Sequence, residues 1–153
     1  MTTEDFLKEA IRLAEENLKG HGRPFGAVLV KDGKILSTGV NRIFETQDPT
    51  THAELEAIRA ASQILNSSRL DGCIIYASGQ PCPMCLSAMH MTGIQEVYFA
   101  YSNQDGEAVG LSTAKIYEQM RKPIEEQSLK IQYMPVRLEG RDLYTLYRAS
   151  QKP

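Results

Sequence analysis

The sequence predicts one α/β domain with a mixed sheet covered on both faces. Three observations predict it. Apolar residues recur at helical spacing at the N-terminus. A hairpin signal follows directly. Short apolar runs bounded by turn residues then alternate with helical stretches. A chain of 153 residues with 42% hydrophobic content is long enough to bury a core of this kind in a single domain, 1–153.

Taking the elements in order, Phe6, Leu7, Ala10, Ile11, Ala14 and Leu18 share one helical face, and Gly20 ends the run. "PFGAVLV" and "KILSTGV" flank "KDGK", so residues 25–40 read as a hairpin. "NRIFETQDPT" reads as a loop closed at Asp48-Pro49. Thr50 or Thr51 is the expected cap of a second helix carrying Leu55, Ile58, Ser62 and Leu65. "CIIYAS", between Asp71-Gly72 and Gly79, reads as a buried strand. A third helix is expected from about Pro83 to Gly93, because proline suits a first turn and glycine a helix end. "EVYFA" is the next strand, and "SNQDGEAVG" a polar loop. A helix is expected from about Ser112 to before Pro123, then a weaker strand in "LKIQYMPVRL" and a short helix near 140–149.

Charge and cysteine content exclude several classes of function. A net charge of −2 and a pI near 5.9 argue against a protein held mainly by nucleic-acid phosphates or an anionic membrane. The charge is uneven: residues 1–112 carry nine Lys/Arg against fourteen Asp/Glu, and 113–153 eight against five, which reads first as a solvated face and second as a surface for an acidic partner. The N-terminus does not resemble a signal peptide, and no stretch is long and apolar enough for a membrane span. Three cysteines, an odd number, argue for reduced thiols, a cytoplasmic location, and chemistry or metal binding rather than a disulfide framework.

The chemistry concentrates at two expected helix starts. "THAELEAIRA" places His52 and Glu54 in one first turn, and "QPCPMCLSAMH" places Cys82 and Cys85 in another. One imidazole and two thiolates make three zinc ligands and leave a fourth tetrahedral position open for water, the pattern of a catalytic site. Zinc lowers the pKa of such a water toward ~7, and helix N-termini favour thiolate over thiol. Glu54, two residues after His52, points away from the ligand direction and can shuttle protons. Hydrolysis that expels ammonia from an amidine-like carbon needs such a shuttle.

A thioredoxin-like redox pair also sits at a helix start, but it needs neither a His-x-Glu elsewhere nor prolines on both sides of the first cysteine. A lone His52 would read as a capping or core histidine. Together "HAE" and "PCPMC" match the His-x-Glu…Pro-Cys-x-x-Cys signature of zinc nucleobase deaminases. Cys73 reads as a buried small hydrophobe, and His21 and His90 lack a partner motif.

"HAELEAI", "PCPMCLSAM" and "PFGAVLV" resemble the cytidine deaminase-like superfamily of zinc-dependent deaminases, and "NRIFETQDPTTHAE" and "KIYEQMRKPIEEQSL" resemble its bacterial guanine deaminase branch. The resemblance implies a three-layer α/β/α fold with a five-stranded mixed sheet. It implies zinc held by His52, Cys82 and Cys85, with Glu54 as proton shuttle. It also implies an Asn41 hydrogen bond to the base, Phe25 packed on it, and a contact from the Ala53 backbone N–H. A homodimer that exchanges its segment from about residue 105 is implied as well. The expected substrate is a small heterocyclic base or nucleoside, with no nucleic acid and no membrane as partner. The alternatives are a tRNA adenosine deaminase, a cytosine or nucleoside deaminase, and a noncatalytic zinc domain; Glu54 argues against the last.

The branch's pattern is not matched everywhere. Where it has an acidic residue, the stretch Leu111 to Tyr117 offers Ser112 and Thr113, with Asp105 or Glu107 as candidate replacements. Met91 stands at a position usually aromatic, and "RASQKP" has no counterpart of the branch's C-terminal tyrosine. A carboxylate would steer a proton on guanine, so the expectation is that guanine is a poor substrate and another aminated ring a better one.

Overall fold

The computed structural model describes residues 1–151. The chain separates into two compact units, Met1–Glu118 and Gln119–Pro153.

The first unit opens with α1 (Thr3–Lys19), begun by a capping box in which Thr2 and Asp5 exchange hydrogen bonds. It buries Phe6, Ala10 and Ala14 of the face expected from their spacing, with Leu7 and Ile11 half-buried beside them and Leu18 exposed. Strands β1 (Gly26–Lys31) and β2 (Lys34–Val40) form an antiparallel hairpin. Asp32 and Gly33 both take positive φ (52° and 75°), the two-residue turn that matches strand twist. The loop after β2 contains one helical turn, α2 (Ile43–Thr46), where a loop was expected. Helix α3 (Ala53–Leu65), strand β3 (Cys73–Gly79), helix α4 (Pro83–Thr92) and strand β4 (Glu96–Tyr101) follow. The unit continues through α5 (Asn103–Gly106) and the start of α6 (Ala114–Met120).

The strand order is β2-β1-β3-β4, with β3 antiparallel to β1 and parallel to β4. Strand β1 is buried on both faces, hence its unbroken apolar run. Ala27 and Leu29 face a core shared with α3 and α4, while Val28 and Val30 alternate onto the face packed by Phe6 and Ala10 of α1. Cys73 lies wholly buried in the first of these cores, as a small hydrophobe. Ser37 of β2 donates to the Ala57 carbonyl of α3 at 2.7 Å, fastening that helix to the sheet.

The sheet has four strands among the described residues, not the expected five. A strand exists only where another edge completes its ladder. "LKIQYMPVRL" pairs with none, apart from one isolated bridge between Leu138 and Arg141, and Pro135 removes a donor within it.

The second unit holds a 3-10 turn (Ile124–Glu126) and α7 (Leu143–Ser150), whose cap Asp142 accepts from the Thr145 N–H at 2.9 Å. Its apolar side chains stay exposed: Leu129 70%, Tyr133 83%, Val136 75% and Tyr144 81%. No helix among the described residues is long and apolar enough to cross a membrane.

Candidate active site

Strand direction assembles the site. Strands β2 and β3 each run antiparallel to β1, so they run the same way, and β4 follows β3. The C-terminal ends of β2, β3 and β4 therefore share one edge of the sheet with the N-terminal end of β1. Phe25 precedes β1, Asn41 follows β2, and Gln80 to Cys82 follow β3, so all of them gather at that edge.

Both metal-donor segments are helix caps. His52 is the N-cap of α3, and Cys82 the N-cap of α4 with Pro83 next and Cys85 in the first turn. The expected caps Thr50 and Thr51 lie just outside α3. Their hydroxyls donate to the side chain and carbonyl of Asp48, at 2.7 and 2.8 Å, and so close the preceding loop instead.

His52 Nδ1 lies 3.5 Å from Cys82 Sγ and 3.6 Å from Cys85 Sγ, and the three donor atoms all fall within 4.8 Å of one another. Zinc bonds of ~2.1 Å to nitrogen and ~2.3 Å to sulfur at a tetrahedral angle set nitrogen and sulfur roughly 3.6 Å apart. The residues fit zinc. The two thiols act on each other: the hydrogen bond from Cys85 pulls the Cys82 pKa down, while that bond and burial push Cys85 up. A thiolate beside the imidazole raises the His52 pKa, chiefly through the hydrogen bond to Cys82.

Glu54 is 7% exposed and lines the same cavity, and burial raises its pKa to about 7. The cavity, about 240 Å³, is walled by the sequence-expected Phe25, Asn41, His52, Ala53, Glu54 and Cys82. Cys85 lies behind them, fully buried.

Sequence reading missed Arg23 and Gln80, which also line this cavity. Their signal was position: Arg23 directly precedes "PFG" and Gln80 directly precedes "PCPMC". Ser112 and Thr113 line it too, but Asp105 and Glu107 do not. Asp105 caps α5 with Ser102 and borders a neighbouring cavity of about 310 Å³. Met91, 78% exposed on α4, also lies outside the cavity lining.

Residues 1–101 match the model of the cytidine and deoxycytidylate deaminase zinc-binding region. The chain belongs to this family of zinc-dependent deaminases. It is a hydrolase acting on the C–N bond of a cyclic amidine, and zinc is its cofactor. It is 44% identical over 130 residues to a guanine deaminase of Bacillus subtilis, covering 84% of this chain and 83% of that one. The crystal structure of the guanine deaminase from Bacillus subtilis superposes with a TM-score of 0.89 at 39% identity, covering 97% of this chain and 95% of the other. A tRNA-specific adenosine deaminase of Aquifex aeolicus is 35% identical over 137 residues, covering 89% of this chain and 87% of that one. A protein solved in complex with 2,6-diaminopurine shares a TM-score of 0.70 at 26% identity, covering 73% of this chain and 63% of that one.

Proposed function

We propose that this deaminase releases ammonia from a free aminated heterocyclic base, with His52, Cys82 and Cys85 as its zinc ligands and Glu54 as its proton carrier. The observation that carries this reading is Glu54, buried beside the three-donor cluster on a cavity of about 240 Å³. A cavity of that size, below the ~300 Å³ at which drug-sized pockets begin, suits a single small ring system.

Zinc, when bound, supplies a polarised, readily ionised water at neutral pH. Glu54 takes a proton from the attacking water and delivers it to the ring nitrogen beside the aminated carbon. It then carries a second proton to the exocyclic nitrogen, which leaves as ammonia while the carbon keeps the oxygen. A carboxyl raised to about 7 serves both directions near neutrality. Phe25 packs on the ring, Asn41 hydrogen-bonds its edge, and the Ala53 backbone N–H contributes one contact.

Guanine itself is expected to be turned over poorly. Glu54 is the carboxylate among the cavity-lining residues, and the nearby hydroxyls are committed to the backbone and to Asn103. Ammonia release over aminopurines, aminopyrimidines, pterins and triazines tests this. The highest kcat/KM on guanine would overturn the guanine expectation, and activity confined to tRNA would overturn the free-base reading. The net charge of −2 favours the free base.

The enzyme is read as a cytoplasmic homodimer that exchanges its C-terminal part. Support comes from the exposed apolar side chains after Glu118, and the free thiols suit a reducing compartment. The exchanged part is read as the segment from about residue 105. Light scattering on the full chain should give twice the monomer mass, and a monomer would refute the exchange.

A further inference from the structure

The hydrogen-bonding polarity of the cavity wall can be read side chain by side chain. Asn41 Oδ1 accepts from the Ile43 N–H at 3.1 Å, which leaves its amide nitrogen as a donor. Gln80 Oε1 accepts from the Asn103 N–H at 2.8 Å, which likewise leaves an NH₂ group. The Thr113 hydroxyl and N–H are both directed at Asn103 Oδ1, at 3.4 and 3.1 Å. Ser112 Oγ accepts from the Ala114 N–H at 3.1 Å. The bonds at Asn41, Gln80 and Ser112 use acceptor atoms and leave donors for whatever enters, whereas Thr113 spends its hydroxyl proton on Asn103.

Arg23 adds charge of the same sense. Its guanidinium carbon sits 5.0 Å from the centroid of the Phe44 ring. Among the described residues no ion pair engages it. Its backbone is mounted rigidly: Asn17 Nδ2 donates to the Arg23 carbonyl at 2.7 Å and to the Asn41 carbonyl at 2.9 Å, tying two donor-bearing residues together. Apart from the zinc donors, the ionisable residues lining the cavity are Arg23 and Glu54. Glu54 is occupied with proton transfer, so the charge left to meet the outer edge of a ring is positive.

We infer that Arg23, with the amide groups of Asn41 and Gln80, selects aminated rings bearing an anionic oxygen edge, a carboxylate or an ionised oxo group, over neutral rings. The forked guanidinium suits such an edge, offering two parallel N–H donors. The inference rests on the deaminase reading of this cavity and names the substrate class within it.

The test uses two matched pairs, cytosine with 5-carboxycytosine and pterin with pterin-6-carboxylate. Zinc-loaded wild-type protein, Arg23→Gln and Arg23→Lys are compared, with calorimetric dissociation constants and ammonia release measured in parallel. Zinc content and thermal midpoint check that the variants are folded. The wild type is expected to bind the carboxylated member of at least one pair about tenfold tighter than the neutral one. Arg23→Gln should bring that ratio to near one, and Arg23→Lys should keep part of it, having the charge without the fork. A neutral ring bound more tightly in both pairs, no binding of either carboxylated ring, or an unchanged ratio in Arg23→Gln each overturns the inference. Absence of ammonia from every ring, with zinc bound and the binding preference present, overturns the deaminase reading alone.

Discussion

At Gly39, β2 runs close against the backbone of α3. A Cβ built there would lie 2.2 Å from the Ala53 carbonyl oxygen and 2.7 Å from the Ala57 nitrogen, both backbone atoms of α3. No side-chain rotation relieves such a contact. To reach an ordinary 3.4 Å, α3 must retreat by about 1.2 Å (3.4 − 2.2) in a Gly39→Ala protein. That movement breaks the 2.7 Å bond from Ser37 to the Ala57 carbonyl. It also carries His52 Nδ1 away from sulfurs 3.5 and 3.6 Å distant. Overpacking and the lost buried hydrogen bond together cost about 2–4 kcal/mol, and zinc affinity should fall with stability because the ligand cap rides on the displaced helix. Denaturant unfolding of the metal-free protein and a chelator competition for zinc measure the two effects. Gly20→Ala is the control, since its Cβ would meet only ordinary contacts, the nearest at 3.6 Å. A Gly39→Ala protein with unchanged stability and unchanged zinc affinity would refute the argument that backbone contact with β2 positions the metal donors.

Other variants separate the roles within the site. Cys85→Ala should leave only two protein donors and lose zinc, and metal analysis showing near-stoichiometric zinc would remove Cys85 from the ligand set. Glu54→Gln should keep zinc and lose turnover by about 10²–10⁴-fold, and substantial residual activity in the zinc-loaded variant would assign proton transfer to another group. The same variant predicts a pH effect on the metal-free protein. Glu54 is raised from 4.5 to about 7 on folding, so the native state holds its proton more tightly than the unfolded chain. Its contribution therefore lowers wild-type stability as pH rises from about 4.5 to about 7, by about 3 kcal/mol in total. Glu54→Gln should lack this loss, so the difference between the two proteins should grow over that window; parallel stability profiles would argue against burial as the cause.

Local chemistry was legible in the sequence because it depends on neighbours along the chain. The helical face of α1, the Asp32-Gly33 turn and the start of α4 at Pro83 follow from periodicity and backbone preference within a few residues. Helix α3 instead buries Ala53, Glu54, Ala57, Ile58 and Ala61, and of the expected Leu55, Ile58, Ser62 and Leu65 only Ile58 is buried. The donor set was legible for the same reason: His52 and Glu54 are two apart, and Cys82 and Cys85 three apart, each pair within one helical turn. Where a competing local bond existed, this reading slipped by a residue or two, as at α3, whose cap is His52 because Thr50 and Thr51 are engaged by Asp48.

Tertiary structure alone decided what the two helix starts face. That the residues after β2, β3 and β4 and before β1 meet at one edge follows from strand direction, which no single segment encodes. The fifth strand was misjudged because "LKIQYMPVRL" has strand-forming residues but finds no edge among the described residues to complete it. Arg23 and Gln80 were missed because neither carries a motif of its own; their place on the cavity wall comes from the chain running into β1 and out of β3. The hydroxyls of Ser112 and Thr113 looked available in one dimension, and folding commits them to Ala114 and Asn103. The reaction chemistry was thus readable along the chain, because it rests on residues within single helical turns. Folding decided which ring edge that chemistry meets, because the walls of the cavity are drawn from segments up to ninety residues apart, from Arg23 to Thr113.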